Sequence, residues 1–168
     1  MTTLDALNAA DEASFVARLG GIFEHSAWIA ARVWPQRPFP SITALHQAMC
    51  AAVAAATRDE QVALIAAHPD LVGRAARSGA LTTASRDEQA SAGLDRLTPQ
   101  EIATFDELNA AYRARFGFPF VICARENTKA SILDAITHRG TNDRATEITT
   151  ALGEIAKIAR LRIEDAVS

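Results

Sequence analysis

His68 is the residue in this sequence best suited to acid–base chemistry. It stands in Ala67-His68-Pro69-Asp70, directly after an apolar helical pattern and before a proline. Because proline disfavours helical geometry in the residue before it, the helix predicted over 58–67 should stop around His68. A histidine there can be a cation that satisfies the last carbonyls of the helix, or a positioned general acid or base. The residues alone leave both interpretations open.

The stretch from Thr83 to Gln89 (TASRDEQ) is a second candidate. Ser85 and Glu88 have the spacing of a capping box, which predicts a helix start at this point. The free N–H groups at a helix start are also a favourable place for an anionic substrate group. The structural and the binding interpretation can therefore hold together.

Arg162 is a third candidate, because it is a charged residue on an apolar helical seam. It continues the alternating three- and four-residue steps of Ile148, Leu152, Ile155 and Ala159. A charge at such a position needs a partner. It can form a structural ion pair, extend to solvent, or clamp a substrate carboxylate or carbonyl. Arg160 projects elsewhere on the same helix and is the poorer candidate.

Signatures of common cofactors, metals and nucleophiles are absent from the sequence. There is no HExxH, GxGxxG, GxxxxGK[ST] or GxSxG, and the histidines and cysteines have no zinc-site spacing. We therefore expect no metal and no cofactor. The sequence favours either cofactor-free acid–base chemistry or a binding module.

The elements that must position these residues are predicted to be helices. The chain is rich in alanine, and its 168 residues include only 8 glycines and 6 prolines. Asp70 is expected to start a helix that Gly79 ends. Thr98, Pro99 and Glu101 predict the start of a long helix that Gly117 ends. Further helices are expected over 42–56, 128–138 and 143–164.

The segment from Phe118 to Cys123 (FPFVIC) is predicted to be a buried extended connection, because no second strand signal lies near it. The predicted fold is an all-α, single-domain helical bundle over residues 1–168. With 49% hydrophobic and 22% charged residues, it can bury a core without disulfides. Cys50 and Cys123 are expected to be reduced, buried and inert.

Charge and targeting signals restrict the partners and the location. The net charge of −3 gives no basic footprint for nucleic acid or an anionic membrane. The first ten residues lack a signal peptide, and the longest apolar run, 48–56, is too short to span a membrane. We expect a cytoplasmic protein whose partner is a small molecule or another protein.

An ordered set of short motifs runs along the chain. It consists of Phe23-Glu24-His25-Ser26 with Trp28, Arg37-Pro38-Phe39, His68-Pro69-Asp70-Leu71, Ser85 with Glu88-Gln89, Leu108-Asn109 with Tyr112, Phe116 to Ile122, Arg139 with Asn142 and Glu147, and Lys157-Ile158 with Leu161-Arg162. Any one of these motifs is weak evidence, but the ordered set, which spans residues 8–163, is specific. It resembles the motifs of one family, the 2-oxo-4-hydroxy-4-carboxy-5-ureidoimidazoline (OHCU) decarboxylases of the urate-to-allantoin pathway.

The resemblance implies a cofactor-independent decarboxylase that has a helical fold, forms a homodimer and produces (S)-allantoin. By motif position His68 takes the role of the catalytic histidine, Glu88 that of its acidic partner, and Arg162 that of the substrate-binding arginine. The family's pocket lining falls on these and on the following positions: Pro69, Ser85, Arg86, Asp87, Gln89, Phe120, Val121, Ile122, Cys123 and Ala124. The substrate is then a ureidoimidazoline.

Two alternatives stand beside this interpretation. A non-catalytic helical adaptor would bury a partner helix in an exposed apolar groove, and His68 and Arg162 would be merely structural. A related cofactor-free enzyme would act on a different ureido compound, which a panel of substrates would reveal.

Overall fold

Helices account for the regular structure of the computed structural model, which describes residues 2–168 apart from the side chains at 74 and 75. Among the described residues, β structure is limited to an isolated bridge between Thr2 and Val167. The predicted all-α fold is confirmed. The chain divides into two compact units, one that runs up to Ala67 and resumes over Ala156–Ser168, and one formed by His68–Ile155.

The first unit is built mainly from the N-terminal helices, which are α1 (Leu4–Ala9), α2 (Glu12–Leu19), α3 (Trp28–Val33), a 3₁₀-helix (Trp34–Gln36), α4 (Ile42–Ala54) and α5 (Arg58–Ala66). Helix α3 packs against α2 and α4. Burial of each large apolar side chain contributes about 1.5–3 kcal/mol. The side chains that are almost fully buried in this unit include Leu7, Phe15, Leu19, Ile29, Leu45, Met49 and Ile65.

Local signals explain where α4 and α5 begin. The Ser41 hydroxyl oxygen accepts the backbone N–H of Ala44 at 3.0 Å, which caps α4. Thr57 and Glu60 form a reciprocal capping box at α5. Helix α5 ends at Ala66, directly before the segment that holds His68.

The second unit contains the remaining helices, which are α6 (Arg74–Arg77), α7 (Thr83–Ser91), α8 (Pro99–Phe116), a 3₁₀-helix (Ala124–Glu126), α9 (Lys129–Arg139) and the first part of α10 (Arg144–Ala166). Helix α8 packs against α9, and α7 packs against the 3₁₀-helix. Phe118 to Cys123, which we call the connecting segment, lies between α8 and this 3₁₀-helix. It is assigned to neither helix nor strand, and all six of its residues are buried.

An aromatic cluster anchors the start of that connecting segment. The Tyr112 ring lies 4.6 Å from the Phe116 ring, centroid to centroid, and meets the Phe120 ring edge-on at 5.3 Å. The Phe116 and Phe118 rings are stacked at 6.0 Å. Edge-to-face and offset contacts of this kind add to the stabilisation that burial alone provides. The end of α8 and the connecting segment are thus packed together.

Two predicted helix starts are wrong, and both errors have a local cause. Helix α7 does not begin at Ser85. Its N-cap is Thr82, whose hydroxyl oxygen accepts the Ser85 N–H at 3.2 Å, so the capping spacing occurs one turn earlier than predicted. Asp70 starts no helix, because Val72 adopts a left-handed φ of 57° and α6 begins only at Arg74. By contrast, α8 has the predicted Thr98–Glu101 capping box.

Candidate active site

His68 opens the second unit, two residues beyond the end of α5. His68 is 7% exposed, and its Nε2 atom is shielded from solvent. Pro69, which follows it, is half-buried. A helix-terminal histidine that only served as a cation for carbonyls would gain from contact with water. The burial of His68 instead favours a role inside the protein.

Side chains from three helices hold the loop that follows His68. Asn109 Nδ2 donates to the Leu71 carbonyl at 2.8 Å, and the Val72 N–H donates to Gln89 Oε1 at 3.0 Å. Arg77 Nη1 donates to the Val72 carbonyl at 2.9 Å. A β-branched residue in the left-handed region is strained by about 1–3 kcal/mol and persists only where its surroundings impose it. These hydrogen bonds hold Val72 in the left-handed conformation.

Helix α7 divides its predicted site residues between the interior and the surface. Ser85 and Gln89 are buried, Glu88 is half-buried, and Arg86 and Asp87 are exposed. Thr82, and not Ser85, is the N-cap of this helix, so the predicted Ser85–Glu88 capping box does not begin it.

A cavity of about 340 Å³ opens in the second unit beside α7. Arg86 and Gln89 lie in its wall, together with the mostly apolar side chains of Val72, Leu81, Ala90, Leu94, Leu97 and Ile102. Its lining includes neither His68 nor Glu88, and no residue of Phe120–Ala124. This cavity therefore does not gather the predicted site residues.

The connecting segment satisfies several of its own backbone groups with side chains. The Cys123 N–H donates to Glu154 Oε2 at 2.9 Å, and the Cys123 carbonyl accepts from Asn127 Nδ2 at 3.0 Å. The Val121 carbonyl accepts from Arg139 Nη1 at 2.8 Å. A buried segment outside helices and strands needs partners for its backbone N–H and C=O groups, and for these three groups the protein itself provides them.

Helix α7 and the connecting segment lie close enough to interact electrostatically. The 3₁₀-helix that follows Cys123 packs against α7. Burial raises the pKa of the Cys123 thiol above its ordinary value, and the carboxylates of Glu126, Glu154 and Glu88 raise it further. The thiol therefore stays protonated and is a poor nucleophile. Of the predicted site residues, Glu88 and Cys123 are thus brought into one neighbourhood.

Arg162 lies in the first unit, on the last turns of α10. It is 7% exposed, and its Nη1 donates to Glu24 Oε2 at 2.9 Å and to the Ile22 carbonyl at 3.3 Å. The ion-pair alternative weighed from the sequence is thus realised. The Arg160 side chain is 42% exposed and pairs with Glu164 on the same helix. The contrast between the two arginines follows the predicted helical register.

Sequence reasoning assigned no role to a set of buried polar residues in the second unit. Glu147 is fully buried, Asn109 and Arg139 are nearly so, and Tyr112 is 3% exposed. All four appear in the family-like motifs, but none was selected as a site residue. The sequence feature that could have identified them is a polar residue on a helical face whose other residues are apolar. Arg139 was easy to overlook, since a cation in the last turn of a helix is common.

Metal and membrane features do not occur in the described structure. Over residues 2–168, no group of three or more histidine, cysteine and carboxylate side chains is arranged to hold a metal ion. In the same range, no helix has the length and the apolar character needed to cross a bilayer.

Comparison with known proteins gives a consistent result. Residues 8–164 match the family model of the OHCU decarboxylases. A 2-oxo-4-hydroxy-4-carboxy-5-ureidoimidazoline decarboxylase of Halalkalicoccus jeotgali is 43% identical over 163 residues, which is 97% of this chain and 90% of that protein. A mouse (Mus musculus) protein of the same name is 40% identical over 95% of this chain and 89% of its own length.

Among solved structures, the crystal structure of an (S)-allantoin synthase superposes with a TM-score of 0.79 at 30% identity, covering 100% of this chain and 54% of that one.

Proposed function

This chain belongs to the OHCU decarboxylase family, and on that premise we propose that it decarboxylates OHCU to (S)-allantoin in the degradation of urate. The observation that supports the proposal most strongly is the match to the family over residues 8–164. The similarity to proteins named for this reaction, at 40% identity and above over nearly the whole chain, supports it further. Similarity to an (S)-allantoin synthase supports the S configuration of the product.

The chemistry of the substrate explains why acid–base groups are sufficient. C4 of the ring bears a hydroxyl and a carboxylate, and C5 is part of an imine. When the bond between C4 and the carboxylate breaks, CO₂ leaves and the electron pair moves through C5 onto the imine nitrogen. The imine nitrogen takes up one proton. The C4 hydroxyl then loses its proton to form the product carbonyl, while C5 gains a proton from one face. The protein must align the carboxylate and move these protons.

In this proposal His68 transfers protons and Glu88 is its acidic partner. An imidazole titrates near neutral pH, so it can both accept the hydroxyl proton and return a proton to the ring. Burial of His68 limits exchange of that proton with bulk water. A carboxylate at Glu88 can supply the negative charge that orients and stabilises a protonated imidazole.

We further propose that Arg162 binds the substrate. Its guanidinium has donors in a planar fork, which suits a carboxylate or two ring oxygens. The contacts with Glu24 and the Ile22 carbonyl fix one nitrogen of that fork in advance. The remaining proposed lining consists of Pro69, Ser85, Arg86, Asp87, Gln89, Phe120, Val121, Ile122, Cys123 and Ala124. Exposure of Arg86 and Asp87 favours positions at the rim.

The assembly and the location belong to the same proposal. We infer a homodimer that works in the cytoplasm on a small-molecule substrate, without a cofactor and without nucleic-acid or membrane partners. Light scattering coupled to gel filtration measures the mass in solution against the 18.0 kDa of one chain. Turnover that survives extensive dialysis against EDTA is expected. Loss of turnover that one added metal restores would contradict the cofactor-free mechanism.

The direct test uses freshly generated OHCU as the substrate. Any decarboxylation in solution without an enzyme would protonate C5 from both faces and give racemic allantoin. We expect added protein to accelerate the loss of OHCU and to produce an optically active signal of one sign in circular dichroism. His68→Asn serves as the matched inactive control. A racemic product formed at the spontaneous rate would overturn the proposed function.

A further inference from the structure

Glu147 is the centre of a hydrogen-bonded cluster of four polar side chains in the second unit. Arg139 Nε donates to Glu147 Oε1 at 2.7 Å, and the Tyr112 hydroxyl donates to the same oxygen. Asn142 Nδ2 donates to Oε2 at 3.1 Å. Glu147 is fully buried, and Arg139 and Tyr112 are more than nine-tenths buried. We refer to Tyr112, Arg139, Asn142 and Glu147 as the Glu147 cluster.

A buried cluster of this kind is a poor means of stabilising three packed helices. The desolvation of two charges offsets most of their mutual attraction, and apolar side chains of similar volume often stabilise a fold equally well. Tyr112 lies on α8, Arg139 on α9 and Glu147 on α10, so apolar residues could have joined the same helices. The polar character of the cluster therefore calls for a specific contact that only hydrogen-bonding groups can make.

Arg139 makes such a contact with the connecting segment. Its Nη1 donates to the Val121 carbonyl at 2.8 Å, and its guanidinium carbon lies 4.3 Å from the centroid of the Phe120 ring. The Tyr112 ring meets the same Phe120 ring edge-on, with an interplanar angle of 83°. The cluster thus holds both the backbone and a side chain at the beginning of Phe120–Ala124.

We propose that Arg139, oriented by Glu147 and Tyr112, is a positioning residue that fixes the backbone of Phe120–Val121 for substrate recognition. The inference rests on the proposed function, in which Phe120–Ala124 lines the site. One edge of the Arg139 guanidinium binds the Glu147 carboxylate, and another nitrogen binds the Val121 carbonyl. A lysine ammonium cannot reproduce both contacts. Burial and the hydrogen bond to Glu147 also raise the pKa of Tyr112 well above its ordinary value, so its hydroxyl stays a donor.

The test compares Arg139→Lys with the parent in two measurements. In steady-state kinetics with OHCU, we expect KM to rise at least about tenfold, with a smaller change in kcat, because binding depends on the segment's backbone. In hydrogen–deuterium exchange, amides of residues 118–124 should exchange at least about tenfold faster, while α8 stays near the parent. Tyr112→Phe removes only one hydroxyl and should shift both measurements in the same direction by less.

Two matched controls separate positioning from general stability. Ile132→Val weakens the core of α9 at a fully buried position outside the cluster. Arg144→Lys changes an arginine whose Nε donates to the Phe116 carbonyl at 3.1 Å and whose guanidinium lies 5.5 Å from the Phe118 ring, just before the segment. Both controls should leave KM and the exchange of 118–124 near parental values.

The outcomes distinguish this inference from the proposed function. A lower Tm for Arg139→Lys, with unchanged KM and unchanged exchange at 118–124, would overturn the positioning role. The same holds if Ile132→Val raises KM as much as Arg139→Lys does. If the parent protein fails to convert OHCU, the proposed function is wrong. Hydrogen exchange alone then decides whether Arg139 fixes the segment, and equal exchange in parent and variant refutes it.

Discussion

Nη1 of Arg162 lies 2.9 Å from Oε2 of Glu24, and both side chains are more than nine-tenths buried. The same nitrogen also lies 3.3 Å from the Ile22 carbonyl and 3.4 Å from that of Gly21. Several acceptors thus converge on one end of the guanidinium. An arginine held in this way is oriented before any ligand binds, which lowers the entropic cost of binding.

Arg162→Lys tests whether that orientation serves substrate binding. The lysine keeps the positive charge beside Glu24 but loses the planar fork of donors. We expect kcat/KM to fall at least about tenfold, equivalent to about 1.4 kcal/mol. Arg160→Lys is the matched control, because the Arg160 side chain is only partly buried and pairs with Glu164. A larger loss in the control than in Arg162→Lys would exclude Arg162 and make Arg160 the candidate.

His68→Asn tests the proton-transfer role. Asparagine retains a polar side chain of smaller size, so the fold should persist, as near-ultraviolet circular dichroism can verify. A positioned acid–base group is commonly worth about 10²- to 10⁴-fold in rate, and we expect kcat to fall within that range. His138→Asn, at an exposed position on α9, should remain near the parent. A near-normal rate for His68→Asn would refute the assignment.

Glu88→Gln distinguishes an acidic partner from a merely structural residue. The cap of α7 is formed by Thr82 and Ser85, so the substitution leaves it intact and Tm should change little. Turnover should fall, because an amide cannot supply negative charge to an imidazole. Glu107→Gln, at an exposed position on α8, is the control for the loss of one carboxylate. Equal rates for Glu88→Gln and the parent would remove Glu88 from the mechanism.

Gln89→Met tests the support of the loop after His68. It removes the acceptor of the buried Val72 N–H, which lies 3.0 Å from Gln89 Oε1. An unsatisfied buried donor costs about 1–3 kcal/mol, so the free energy of unfolding measured in urea should fall by that amount. Gln100→Met, on the exposed first turn of α8, should change it little. Equal losses in the two variants would mean that the Val72 contact contributes nothing specific.

Glu60→Gln gives a prediction about pH. A hydrogen bond from Arg32 and then one from the Thr57 backbone lower the pKa of Glu60 from 4.5 to about 2. A depressed carboxyl pKa stabilises the folded state above the unfolded value, and this contribution disappears as pH falls through the folded value. The variant should therefore be less stable than the parent at neutral pH. The difference should shrink between pH 4.5 and about 2, and a constant difference in urea titrations would contradict this.

The sequence predicts a helix start correctly where residues within a single turn determine it. Thr98, Pro99 and Glu101 lie within one turn, and that turn alone determines where α8 begins. The error at α7 has the same origin, because Thr82–Ser85 and Ser85–Glu88 are overlapping stretches with the same spacing. Which of them caps the helix depends on the path of the preceding loop, and local spacing contains no information about that path.

Long-range partners could not be predicted from the sequence. The helical register of α10 identified Arg162 as a buried charge that needs a partner, but Glu24 is 138 positions away in the chain. Likewise, Tyr112 and Glu147 are separated by 35 positions. Periodicity shows which residues face inward. It does not show which inward-facing polar groups meet, because that depends on how several helices pack.

The distribution of chromophores gives each compact unit its own optical signal. Tyr112 of the Glu147 cluster is the only tyrosine in the sequence, and it lies in the second unit. Both tryptophans, Trp28 and Trp34, lie in the first. Tryptophan fluorescence therefore reports on the first unit, while ionisation of the phenol in an alkaline jump, followed by ultraviolet absorbance, reports the opening of the second. Without any label, the two signals can reveal whether both units unfold in one transition.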